Sequence, residues 1–180
     1  MSTNSQNAPL SDQVKEHALS ETKAWLLEFV IGHNVCPFAR KPFESDQIRF
    51  VCTDAHEDAA LLHALAHELE LLLDDNAIET TLLILPNALA TFTEYWDFVE
   101  LAEALIKSLE LEGIFQIATF HPQYQFEGTE QDSPENRTNR SPYPTLHLLR
   151  ESSLDEAIAN HPDATSIPLN NIKRMLALAD

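Results

Sequence analysis

The sequence predicts an α/β fold: a mainly parallel sheet of about four strands, with helices on both faces and one long functional loop. Three observations carry this. Runs rich in β-branched and aromatic residues alternate with long amphipathic stretches, the pattern of strands joined by helical crossovers. A hydrophobic fraction of 44% over 180 residues is enough to enclose one core. The segment from His121 to Pro144 has no helical period, and it exceeds the roughly 12 to 15 residues beyond which structureless loops become uncommon and are usually functional or disordered. Residues 1–18 read as a disordered tail and 19–180 as a single α/β domain.

Taken in order, the first helix is expected from Ser20, a candidate N-cap. Trp25, Leu26, Phe29 and Val30 recur at three- and four-residue steps, and the helix ends near Gly32. Ile48 to Thr53 is the first strand, and a helix from about His56 to Leu73 follows. Thr80 to Leu85 is the second strand, stopped by Pro86. Thr91 caps the next helix with Glu94 as the other half of a capping box; Tyr95, Phe98, Val99, Ala102, Leu105, Ile106 and Leu109 form its buried stripe. Ile114 to Phe120 is the third strand and Thr145 to Arg150 the fourth, whose direction the pattern leaves open; short helices near 153–160 and 168–179 finish the chain.

Composition excludes several functions. The net charge of −18 repels phosphate backbones and anionic headgroups, so neither nucleic acid nor membrane is an expected partner. No apolar run approaches the roughly 18 to 20 residues that span a bilayer, and the first residues lack a signal-peptide pattern, so a cytoplasmic location is expected. The two cysteines, Cys36 and Cys52, are too few for a disulfide framework and are expected as thiols. Gly32, Gly113 and Gly128 stand far apart, which rules out a P-loop, a dinucleotide fingerprint and a nucleophile elbow.

Three stretches carry a resemblance: Asn34-Val35-Cys36-Pro37-Phe38-Ala39, Phe120-His121-Pro122-Gln123-Tyr124-Gln125-Phe126 with Gly128-Thr129, and Asn139-Arg140-Ser141-Pro142-Tyr143-Pro144-Thr145-Leu146-His147-Leu148-Leu149-Arg150-Glu151. Together, in this order, the chain resembles an uncharacterised family catalogued only as the domain of unknown function fourteen-fifteen, over about Ser20 to Leu176. The resemblance implies neither an activity nor a cofactor.

The site itself must be read from side-chain chemistry. His121 falls just past a strand end, the edge at which open α/β sheets bind ligands. Asn136 to Arg150 holds three arginines and one histidine but no acid, which suits a small anionic ligand. On this reading His121 is the acid–base residue, Arg140 the anion contact, and Tyr124 and Tyr143 the walls; Asn139, Ser141, His147 and Arg150 complete the ligand contacts. Cys36 with His121 would form a nucleophile and its base, with Tyr124 beside them. A regular strand would, however, turn His147 and Arg150 to opposite faces.

Other readings stand beside this one. Arg140 and Arg150 can serve in salt bridges, and Cys36 can be a small apolar filler. His121, His147 and Cys36 can ligate a metal, although their spacing does not demand it. The aromatic loop can dock a protein partner without catalysis. His56, His63 and His67 share a helical stripe opposite the leucine face, which reads as solvent-exposed, as do Glu100, Glu103 and Glu110. No residue pattern specifies a cofactor or an oligomeric state.

Overall fold

A computed structural model describes residues 9–178. The elements in order are α1 (Asp12–Trp25), a π-helical segment (Leu26–Ile31), α2 (Arg40–Glu44), β1 (Ile48–Cys52), α3 (Asp58–Asp74) and β2 (Thr80–Ile84). There follow α4 (Phe92–Ser108), β3 (Phe115–Phe120), a 3₁₀ helix (Pro134–Asn139), β4 (Thr145–Arg150), α5 (Glu151–Asn160), a short 3₁₀ turn (Ala164–Ser166) and α6 (Ile167–Ala177). No helix among the described residues is long and apolar enough to cross a membrane.

The sheet is mixed rather than mainly parallel. Its order is β1-β2-β4-β3; β1 runs parallel to β2, whereas β4 runs antiparallel to both β2 and β3. The physical reason lies in the connection after β3. No crossover helix carries the chain back to the starting edge, so β4 must enter from the end at which β3 leaves. Pro144 marks this entry, its carbonyl accepting the Leu85 N–H at 2.9 Å. The first three strands still share one direction, as the alternation with helices requires.

The expected tail yields to structure before residue 18. Ser11, not Ser20, caps the first helix: its hydroxyl accepts the Val14 N–H at 3.3 Å, and Ala18 and Thr22 are buried. Residues 1–8 of that tail lie outside the described residues. Thr91 and Glu94 form the expected capping box at α4.

One face of the sheet carries α3 and α4. Leu61, Leu65, Leu69 and Leu72 meet Tyr95, Phe98, Val99 and Ala102 above Leu83, Leu146 and Leu148. Each such buried side chain contributes roughly 1.5–3 kcal/mol. His63 and His67 point to solvent as the leucine stripe requires, and His56 precedes the helix. Glu68 is the one buried charge on α3 and takes both sides of the Arg49 guanidinium, at 2.6 and 3.1 Å. The opposite face holds Leu26, Val30, Ile31, Val35 and Met175, packed with Ile48 and Phe50 of β1. Toward β3 and β4 this second layer opens into a cavity.

Candidate functional site

The loop from His121 to Pro144 is held by hydrogen bonds among its own polar groups. Asn136 is its hub: the side-chain oxygen accepts the Phe126 N–H at 2.9 Å and the Thr129 hydroxyl at 3.0 Å, while its amide donates to Glu130 O at 2.8 Å. Arg140, expected as the anion contact, donates from Nε to Tyr124 O at 3.1 Å and from its fork to Gln131 O. Asn139 donates to Thr119 O at 3.0 Å, and Ser141 to Tyr143 O at 2.6 Å. Tyr143 donates to the Glu21 carboxylate at 2.6 Å, which pushes the phenol up to about 12.

His121 is fully buried between Phe92 and Tyr95, with ring centroids 5.6 and 5.1 Å away. Its Nδ1 accepts the Gln123 N–H at 3.0 Å, so Nε2 carries the hydrogen that reaches Leu89 O at 3.0 Å. Both nitrogens are thereby committed, and burial lowers the imidazole pKa. Tyr124 packs into the same aromatic cluster, 5.0 Å from Phe92 and 5.0 Å from Phe126. Of the loop aromatics, Tyr124 is buried, whereas Phe126 and Tyr143 are half-buried.

Arg150 is also committed, to main-chain carbonyls and not to acids. Its guanidinium donates to Leu72 O in the last turn of α3 and to Asp75 O and Ile78 O beyond it, and lies 5.6 Å from the centroid of Phe115. A cation at a helix C-terminus satisfies orphan carbonyls and opposes the negative end of the helix dipole. Neither Arg140 nor Arg150 has a salt-bridge partner among the described residues.

The structure places a cavity of about 610 Å³ on the opposite face of the sheet. Its floor is built from Thr80, Leu82, Ala118, Phe120, His147 and Leu149. These belong together because strand register sets Leu82, His147 and Ala118 side by side on one face. One wall is Trp25, Leu26 and Val30, carried by the end of α1 and the π-helical segment; another is Cys36 to Ala39, and α5 closes over the top with Leu154 and Ala157. Phe38 and His161 meet edge to face at 5.7 Å, joining the Cys36 segment to the end of α5. Ala118 leaves the space that a larger strand residue would fill.

Of the residues expected at a site, His147, Cys36 and Arg150 border this cavity, while His121, Tyr124, Asn139, Arg140, Ser141 and Tyr143 do not. His147 and Arg150 do project to opposite faces; Arg150 touches the cavity only at the strand end, with its guanidinium turned toward α3. His147 is half-buried on the floor of this cavity, and desolvation pushes its pKa down to about 4.

The expected Cys36–His121 pair is not formed, because the two residues lie on opposite faces of the sheet. The same separation breaks up the His121, His147 and Cys36 metal set, and no cluster of three or more ligating side chains occurs among the described residues. Burial pushes the Cys36 thiol up, against a smaller opposing effect of the Phe38 and Ala39 N–H groups. Cys52 is raised to about 11, first by burial and then by Asp54. Alkylation of native protein by iodoacetamide should therefore rise through midpoints above the roughly 8.5 of free cysteine at both positions. A Cys36 midpoint below that value, followed by mass spectrometry of the labelled peptide, would restore an activated thiol.

Thr80, Phe120, Ala118 and Trp25, which also line the cavity, were not singled out as site residues from the sequence. Alternation along Thr145–Arg150 was the available signal, since it sets His147 on the face away from Leu146 and Leu148. What it lacked was the neighbouring strand. The family model described as "Protein of unknown function (DUF1415)" matches residues 17–180. No curated protein and no solved structure matches the chain.

Proposed function

The chain belongs to the family described as protein of unknown function (DUF1415), and from the geometry of its cavity we propose that it binds a small, mainly apolar molecule between the sheet and α5. The observation that carries this reading is a half-open cavity of about 610 Å³, within the usual range of ligand pockets, with mainly apolar walls and a few convergent polar atoms at His147 and Thr80. A cavity of this size lined by side chains left unpacked is a cost in stability that a folded domain would otherwise remove. The committed hydrogen bonds of Arg140 and His121 favour this cavity over the 121–144 loop as the place for a ligand.

Nile red, a neutral dye whose emission shifts in apolar surroundings, provides the test. Saturable binding at one equivalent is expected for the full chain. Ala118→Phe places a ring at the centre of the cavity floor and should weaken binding by at least about tenfold, with the far-ultraviolet circular dichroism unchanged. Undiminished binding by a folded Ala118→Phe variant would put the dye elsewhere and remove this reading.

A further inference from the structure

The hydrogens around His147 can be assigned one by one. The Thr80 hydroxyl lies 2.5 Å from Leu148 O and 2.7 Å from Nε2 of His147. A carbonyl oxygen only accepts, so the single hydroxyl hydrogen goes to Leu148 O. Nε2 must then supply the hydrogen of the second contact. A neutral imidazole has only one N–H, which leaves Nδ1 as a bare acceptor, and desolvation keeps the ring neutral near pH 7.

Nδ1 has no hydrogen-bond partner among the described residues, yet it is not sealed. The only side-chain polar atoms that are both sealed and without a partner there are Trp25 Nε1 and Thr81 Oγ1. The residual surface of Nδ1 therefore opens onto the cavity that His147 lines. An acceptor held in apolar surroundings by a fixed partner on its other nitrogen selects for a hydrogen-bond donor, because a ligand without one leaves it unpaired.

Two further features narrow the ligand. Trp25 and Phe120 meet at 5.2 Å and 71°, and with Phe38 they present ring faces and edges to the same space. Among the described residues that line the cavity, no buried cation is free to pair with an anion: Arg150 is spent on carbonyls, and Lys41, on the cavity wall, is exposed. We infer that the ligand is a neutral aromatic compound carrying a hydrogen-bond donor, an aromatic alcohol or a ring N–H, and that Nδ1 of His147 receives this hydrogen. The inference rests on the small-molecule reading above and specifies its ligand class. Thr80 is the positioning residue, acting through His147.

The probes are β-naphthol, its methyl ether and β-naphthoate, compared by calorimetry near pH 7 with the full chain. Wild type should bind naphthol about tenfold more tightly than the ether, and more tightly than the carboxylate. His147→Phe should bring the naphthol-to-ether ratio to about one. Thr80→Val removes the acceptor that holds the Nε2 hydrogen and should also shrink the ratio, and Thr80→Ser should restore it. Equal affinities for naphthol and ether in wild type would overturn the donor assignment while Nile red binding keeps the cavity reading in place. A naphthol preference that survives in His147→Phe, or a preference for naphthoate, would overturn it as well. Failure of naphthol, ether and Nile red alike to bind would end both readings.

Discussion

Acidification from about pH 7 to about pH 4 should destabilise wild-type protein by about 3 kcal/mol more than it destabilises His147→Phe. Burial lowers the folded-state pKa of His147 from 6.5 to about 4. Between those values the unfolded chain takes up a proton that the folded chain refuses, so protons favour unfolding. The contribution is fully present above the unfolded value and is lost as pH falls toward the folded one. Desolvation is the sole cause of the shift, so salt should change the difference little. His121, whose pKa is lowered in the same direction, acts in both proteins and cancels in the comparison. Urea unfolding at several pH values measures the effect. Parallel stability curves for the two proteins would show that His147 titrates as an ordinary exposed histidine.

The legible parts of this molecule were those set by near neighbours along the chain. Thr91 and Glu94 are three residues apart, and the capping box they form is a local event that sequence displays directly. The leucine stripe of α3 and its exposed histidines follow from helical geometry alone. The direction of β4 was not legible, because it depends on which end of the sheet the His121–Pro144 connection reaches. Ser20 was the N-cap expected from the sequence, but the structure caps the first helix with Ser11. The choice of Ser11 over Ser20 was decided by helical residues before Ser20, with Ala18 buried.

The site divides in the same way. His147 was visible as a polar residue in an apolar strand, but Thr80, which holds its Nε2 hydrogen, is 67 residues away and meets it only through strand pairing. Arginines in an acid-rich chain suggested anions or salt bridges; Arg140 and Arg150 instead satisfy loop and helix-end carbonyls, partners that every sequence carries and none advertises. Position past a strand end made His121 look functional. Whether such a residue faces a ligand or an aromatic core is settled by the helix packed beside it, here through Phe92 and Tyr95.

Gly32→Ala is expected to destabilise the protein by on the order of 3 kcal/mol, at the upper end of the range for overpacking. The cause is steric and specific to the π-helical segment. There the Gly32 N–H reaches back five residues to Leu27 O at 3.0 Å, and Val35 repeats the step to Val30 O at 2.8 Å. This widened turn brings the Glu28 carbonyl into the space that a Cβ at position 32 would occupy, and a backbone atom has little freedom to yield. Gly113 and Gly128 differ: both have positive φ and nothing near an added Cβ, so their requirement is conformational. In Gly32→Ala the chain can relieve the clash only by shifting the segment that carries Leu26 and Val30, two residues of the cavity wall. Loss of stability should therefore be accompanied by weaker Nile red binding at temperatures where the variant remains folded. A urea midpoint within error of wild type would show that the first helix runs into the Cys36 corner as regular α-helix, with the cavity wall set by some other constraint.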